Sequence, residues 1–286
     1  MTFGKPEMKP ANQTRLYILP LGFIENDVAL NLLLHNQATS DDKAKPAQWH
    51  RVPSISLLIY HPKLGWVLVD TGSNKKAMEG YWPESARKEI PLIRTEEDML
   101  DARLAQLGLA PADIDLLVLT HLHLDHAGNL GLFSGTRAGQ RIIAHSEEIK
   151  QALYDTFTGE GDLVNGYMRP DFVGIPGISF DPIDSSVKLA DDLELIWLPG
   201  HTPGTIGIIL HLEKTGTVIF TSDAINWKPN LGPPIQLSAV FYDSVNMTKS
   251  IRQLYWLQRQ YNAMLIFGHD MEQYQKLRLS PGSYYD

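Results

Sequence analysis

The chain has 286 residues, no cysteine and a formal net charge of −8 at pH 7. The missing thiols exclude disulfides, thiolate zinc sites and a cysteine nucleophile, so any transition metal must be held by His, Asp or Glu. The acidic balance offers no basic stripe for nucleic acid, and neither an apolar leader nor a run of about 18 apolar residues is present, so no membrane partner is expected and the cytoplasm is the expected location.

One domain spanning residues 1–286 is expected, with residues 1–14, which carry Pro6 and Pro10, as a loose lead-in. Arg15 to Leu21 reads as a first strand. Ile24 to His50 has mixed polarity without clear periodicity and reads as a long functional loop. Ser54–Tyr60 and Trp66–Asp70 form a hairpin through residues 61–65, closed by a tight Asp70-Thr71-Gly72 turn. Thr95 is placed to cap a helix that opens with Glu96, Glu97 and Asp98 and carries Leu100, Leu104 and Leu107 on its core face until Gly108 and Pro111 stop it.

Asp113 to Leu119 is a strand, and its apolar run, Leu116 to Leu119, is too short for anything but a buried strand. Arg141–Ala144 is a further strand, followed by a helix from about Ser146. Thr158 to Ile183, rich in Gly, Pro, Asp and aromatics, reads as a loop or insertion. Leu193–Leu198 is a strand ending in the Pro/Gly turn that carries His201. Ile206–Leu212 and Val218–Thr221 make a second hairpin that leads to Asp223. Ser244–Tyr261 is helical, with Ile251, Leu254 and Tyr255 tracing its apolar side, and Ala263–Phe267 is a last strand before His269.

The chemistry gathers where these strands end. Leu116 to Leu119 delivers His121-Leu122-His123-Leu124-Asp125-His126. Alternating faces let His121 and His123 share one ion, and a turn after Leu124 frees Asp125 and His126 for a second. Imidazoles beside a carboxylate suit a pair of divalent cations in a hydrolytic site. His201, Asp223 and His269 also follow strands, so loops at one sheet edge could converge on a single site. Asp70 could orient a ligating imidazole or be an ordinary turn aspartate. His35, His50, His61, His145 and His211, on loops or polar strand faces, read as solvated or satisfied by hydrogen bonds. Gly-x-Ser-x-Gly does not occur, so no serine nucleophile of that type is indicated.

His121-x-His123-x-Asp125-His126, followed in order by Gly200-His201-Thr202-Pro203-Gly204, Ser222-Asp223-Ala224 and Phe267-Gly268-His269-Asp270, resembles the signature of the metallo-β-lactamase-fold hydrolases. Gly268 to Gln273 and the Asp70-Thr71-Gly72 turn are most similar to those of the N-acyl homoserine lactonases. Periodicity alone supports an α/β protein; the resemblance implies an αββα sandwich of two mixed β-sheets flanked by helices. It further implies one metal at His121, His123 and His201, another at Asp125, His126 and His269, and Asp223 bridging them. Zinc is the first choice of cation, with cobalt, iron or manganese as alternatives.

Two such cations would acidify a bridging water and polarise a carbonyl, giving hydroxide attack on a lactone ring, with Asp125 and Asp223 as the catalytic carboxylates and Asp125 also shuttling a proton. Similar lactonases carry a tyrosine three residues after the bridging aspartate. Here Asn226 stands there as a substrate-binding candidate, and Tyr242 or Tyr167 could substitute for the missing phenol. The expected partner is a small-molecule lactone held by residues in 24–50, 158–183 and 227–241, with quorum quenching as the consequence and a homodimer allowed. Alternatives are another lactone, ester or thioester on the same fold, or a diiron redox protein with a flavin partner.

Overall fold

The computed structural model describes residues 13–286. Most of the segment 1–14 expected to be loose lies outside the described residues; Thr14, at its end, donates to Asp192 (2.7 Å). The strands are β1 (Arg15–Asp27), β2 (Trp49–His61), β3 (Gly65–Val69), β4 (Leu92–Ile93), β5 (Leu116–Val118), β6 (Ile142–His145), β7 (Leu163–Val164), β8 (Tyr167–Met168), β9 (Phe180–Ile183), β10 (Val187–Ala190), β11 (Leu193–Trp197), β12 (Ile206–Leu212), β13 (Gly216–Phe220) and β14 (Met264–Ile266). They form a seven-stranded sheet in the order β4-β1-β2-β3-β5-β6-β9, a five-stranded sheet in the order β10-β11-β12-β13-β14, and the small β7-β8 hairpin.

Side-chain alternation divides the core into layers. Leu16 and Ile18 of β1 meet Ile208, Leu210, Val218 and Phe220 of the second sheet. Tyr17, Leu19 and Leu21, one residue out of phase, pack with Leu100 and Leu104 of the helix Leu100–Gln106 and with Ala152 of the helix Ser146–Thr158. On the far side, Ile209 and Ile219 pack with Met247, Ile251 and Leu254 of the helix Ser244–Tyr261. The result is the expected αββα sandwich. Strands covered on both faces have no polar side, which is why Leu116 to Leu119 is continuously apolar.

Several local readings change. Residues 24–50 are not one loop: Ile24–Asp27 continues β1 against Trp49–Val52, past a register shift between Pro20 and Phe23. The alternation was masked because Asn26, a polar residue, occupies a buried position. Thr95 starts a separate turn in which Asp98 accepts from the Thr95 amide (2.7 Å), and the helix begins only at Leu100. Within 158–183 the chain forms β7, β8 and the edge strand β9 rather than loop throughout. Tyr255 is 45% exposed, one residue round from buried Leu254; the buried stripe of that helix is Met247, Ser250, Ile251, Leu254 and Leu257.

Buried Asp171 accepts a hydrogen bond from the Tyr81 hydroxyl (2.6 Å), tying the segment before the helix Glu84–Glu89 to the one after β8. Burial pushes the Asp171 carboxyl up to about 7, against the opposing Tyr81 bond. The folded state then binds a proton that the unfolded chain has lost, so stability falls as pH rises from about 4 to 7, by roughly 1.4 kcal/mol per unit at most. Asp171→Asn keeps a carbonyl acceptor and has no proton to lose. It should match wild type near pH 4 and exceed it by about 2–4 kcal/mol above pH 7. Urea unfolding across this range checks this, and parallel stability profiles would overturn it.

Candidate metal centre

Topology brings the chemistry to one sheet edge. β3 and β5 are parallel, so Asp70 and Thr120 emerge side by side; β13 and β14 are parallel, so Asp223 and His269 do the same. β11 runs antiparallel to β12, which puts the His201 turn beside the start of β12. A backbone bond from Ile206 N–H to the Thr120 carbonyl (2.8 Å) joins the two sheets there.

The seven predicted donors converge as three overlapping groups: His121, His123 and His201; His121, His126 and Asp223; and Asp125, His126 and His269. Within each group the donor atoms lie within 4.8 Å of one another. All seven residues are buried except Asp125, which is half-buried.

Each imidazole is held from outside by its other nitrogen. His126 Nδ1 pairs with Asp70 Oδ2 (2.8 Å), His201 Nδ1 with the Val240 carbonyl (2.9 Å) and His269 Nδ1 with the Pro53 carbonyl (2.9 Å). His123 bonds the Asn165 backbone. His121 Nδ1 lies 3.1 Å from the Thr120 hydroxyl, which donates to Asp70 Oδ2 (2.8 Å) and accepts from Ser222 Oγ (2.8 Å), so His121 is left as the donor. The outer bonds fix the tautomers and aim the remaining nitrogens inward, as partners of the outer nitrogen do for metal-binding histidines.

The inner atoms fit cations. His121 Nε2, His126 Nε2 and Asp223 Oδ1 are buried and make no hydrogen bond within the protein, the last two lying 3.4 Å apart, while His201 Nε2 and His123 Nδ1 face each other at 3.0 Å. Nitrogens aimed lone pair to lone pair, with carboxylates beside them, are the donor chemistry that divalent cations satisfy. The residues therefore suit two divalent ions.

Two glycines press on this cluster. A Cβ at Gly166, whose φ is +86°, would lie 2.8 Å from the His123 ring, and one at Gly268 would lie 2.7 Å from Asp223 Oδ1. Glu148, absent from the sequence reading, is fully buried and ties the site's two main segments together. It accepts from Leu122 N–H (2.8 Å) and Gly204 N–H (3.2 Å). At the start of a helix it reads as a surface residue complementing the dipole; no local pattern distinguishes it.

The other histidines largely follow the hydrogen-bonded expectation. His35 pairs with Gln48, His50 with Asn31 and His211 with Thr217. His61 and His145 depart from the polar-face reading because both are buried. His61 pairs with Asp192 (2.9 Å), and His145 caps the helix Ser146–Thr158 and stacks on Trp197. Tyr167 is buried and bonded to Glu148, and Tyr242 is 59% exposed.

A cavity of about 270 Å³ opens onto the cluster. Ile24, Leu30, Val52, Ala86, Ile90 and Leu163 line its apolar part, and Asp125, Asp223, Asn226 and His269 line it at the cluster.

The sequence model of the metallo-beta-lactamase superfamily matches residues 51–243, more than half of the chain. The chain belongs to the metallo-beta-lactamase superfamily. Within it, the chain is similar to the N-acyl homoserine lactonase AiiB of Agrobacterium fabrum, 30% identical over 95% of this chain and 99% of the relative. A solved N-acyl homoserine lactone hydrolase, with the product N-hexanoyl-L-homoserine at its catalytic metal centre, superposes with a TM-score of 0.79 at 26% identity. The match covers 96% of this chain and 100% of that one. A mutant of Bacillus thuringiensis AiiA with N-decanoyl-L-homoserine bound gives the same TM-score, identity and coverages.

In this superfamily member, electrostatics divide the donors. Burial holds His121 and His123 well below the ordinary imidazole range and lowers His201. Burial also opposes charge on His126, but Asp125, Asp223 and Asp70 outweigh it and push the group up to about 10. His269 is likewise pushed up to about 9, by Asp223 and Asp125 against burial. Near neutral pH the first three imidazoles are ready to bind a cation, whereas His126 and His269 must first release protons.

Cation affinity at the Asp125/His126/His269 group should therefore weaken as pH falls below about 10, and more steeply below about 9, while that at His121/His123/His201 holds near pH 7. Titration calorimetry at pH 7 in buffers of different ionisation heat should show proton release with the second equivalent only; equal release with both equivalents would contradict the assignment. Asp70→Asn replaces the carboxylate that holds His126 and should cost roughly 10- to 100-fold in cation affinity with little change in the fold. Competition with a chelator, with circular dichroism as the control, measures it; unchanged affinity would remove Asp70 from the site.

Proposed function

We propose that this protein opens the ring of N-acyl homoserine lactones, with quorum quenching as the consequence. The observation that carries the reading is the convergence of seven His and Asp donors beneath a cavity whose lining is largely apolar, with Asn26, Asn31, Ser85 and Glu89 among its polar residues. Similarity along nearly the whole chain to named lactonases supports it.

One cation would sit at His121, His123 and His201, the other at Asp125, His126 and His269, with Asp223 between them. Zinc is our choice because imidazole with carboxylate suits it, and no thiolate is available to favour a softer ion. When bound, the cations supply an acidified water and a Lewis acid for the ester carbonyl. Asp223, with one oxygen 3.2 Å from His269 Nε2 and the other 3.4 Å from His126 Nε2, lies between the donor groups. Asp125, the least buried of the donors, takes up a proton from the attacking water and returns it to the ring oxygen as the C–O bond breaks.

Asn226 faces the cavity with its Oδ1 unpartnered, where similar lactonases place a phenol. An amide cannot act as an acid, so its part is to position the substrate, and proton transfer falls to Asp125. No helix among the described residues is long and apolar enough to cross a membrane. We place the working enzyme in the cytoplasm, where a chain with no cysteine loses nothing to reduction.

A panel of N-hexanoyl to N-decanoyl homoserine lactones, incubated with metal-loaded protein, should release one acid equivalent per ring and no thiol. Chelation should abolish turnover and zinc should restore it. Inactivity toward every lactone, together with hydrolysis of another ester or a thioester, would overturn the lactonase reading.

A further inference from the structure

Three side-chain amides line the cavity: Asn26, Asn31 and Asn226. Their situations differ. Asn31 is engaged, because its Oδ1 pairs with His50 Nε2 (2.8 Å). Asn226 lies three residues beyond Asp223 and shares the cluster end of the cavity with His269. Asn26 comes from β1. It occupies the inward phase of β1, two residues from Ile24, and Ile24 pairs across the sheet with Val52. Ile24, Asn26 and Val52 are all buried, and all three line the cavity beside Leu30 and Ile90.

An amide at this point is anomalous. The strand pattern calls for an apolar residue, and a chain of methylene groups would prefer one. Asn26 is 4% exposed, and its Oδ1 has no hydrogen-bond partner. A buried acceptor without a donor weakens the fold, and native proteins rarely keep one unless a ligand or water completes it. Here the residue is one of those lining the cavity that, in the lactonase reading, holds the acyl chain.

We infer that Asn26 is a specificity-determining residue that receives a hydroxyl group carried on the acyl chain of the substrate. This rests on the reading of the cavity as the acyl site. A hydroxyl donates to Oδ1 and fills the missing bond; an unsubstituted chain leaves the amide unpaired against methylene groups. Sites built to hydrogen-bond a substrate hydroxyl discriminate more strongly than sites that merely fit an apolar chain. The preferred substrate class is therefore the hydroxyacyl homoserine lactones.

The test is a matched set of N-acyl homoserine lactones of one chain length, either unsubstituted or with a hydroxyl at successive chain carbons. Wild type should favour one hydroxylated position over the unsubstituted chain by roughly 10- to 100-fold in kcat/KM, with the difference mainly in KM. Asn26→Leu, nearly the same size, should remove that preference by weakening the hydroxylated substrate and improving the plain one. Asn26→Ser should restore part of it.

The same ratios are read without turnover from Kd values of the ring-opened N-acyl homoserines on metal-loaded protein. Thermal unfolding and metal content confirm that each variant is intact, and if Asn26→Leu does not fold, the wild-type and Asn26→Ser ratios decide. Ratios near one at every position in wild type, or a preference that survives Asn26→Leu, overturn the inference. Hydroxyl-dependent binding that Asn26→Leu abolishes, without any lactone turnover, upholds it and counts instead against the lactonase reading.

Discussion

The centre depends on hydrogen bonds made by the nitrogens that face away from it. An imidazole free to rotate or change tautomer is a poor donor; one whose outer nitrogen is fixed presents a lone pair in a set direction. Asp70 is the hub of this arrangement. Its carboxylate accepts from the Thr120 amide (2.7 Å), the Thr120 hydroxyl and His126 Nδ1, so one side chain orients His126 directly and His121 through Thr120. Ser222, the residue before Asp223, joins the same hydroxyl from the other sheet.

That network is held against backbone cost. Asp70 (φ 63°) and Ser222 (φ 46°) are non-glycine residues in the left-handed region, each costing of order 1–3 kcal/mol. Both sit just past a strand of a different sheet, and both reach Thr120. The left-handed turns bring short polar side chains back across the sheet edge, and the sandwich core on either side prevents relaxation. Glu148 adds a second tie, joining Leu122 to Gly204 and hence the His121/His123 segment to the His201 turn. Stability is spent here on geometry, and the layers of Leu, Ile and Val supply it.

The cavity shows the same exchange on the substrate side. Its wall is made by strand and helix residues of apolar character, yet it retains amides whose oxygens lack partners. Amides in a largely apolar wall give a ligand specific points of attachment beyond shape.

Much of this could be read from the sequence because the relevant signals are local. Short apolar runs ending in His or Asp marked the strand ends, and all seven donors lie where those runs stop. What failed to show was what depends on neighbours distant in the chain. The second half of β1 reads as loop in the sequence because buried Asn26 breaks the alternation of apolar residues. Tyr255 was assigned to a buried face that only the packing of the helix Ser244–Tyr261 could define. Glu148 goes unread and His145 reads as a polar-face residue because nothing adjacent to them reveals the amides and the indole they meet.

The sequence by itself determined the alternation that sorts residues into layers, which follows from spacing along a strand, and, through its resemblance to the metallo-β-lactamase signature, a donor set drawn from four separate segments. The tertiary structure decided which nitrogen of each imidazole faces inward, which carboxylate holds which ring, and which amide is left unpaired. Those outcomes depend on partners up to 216 residues away, as between His269 and Pro53, and no local pattern encodes them.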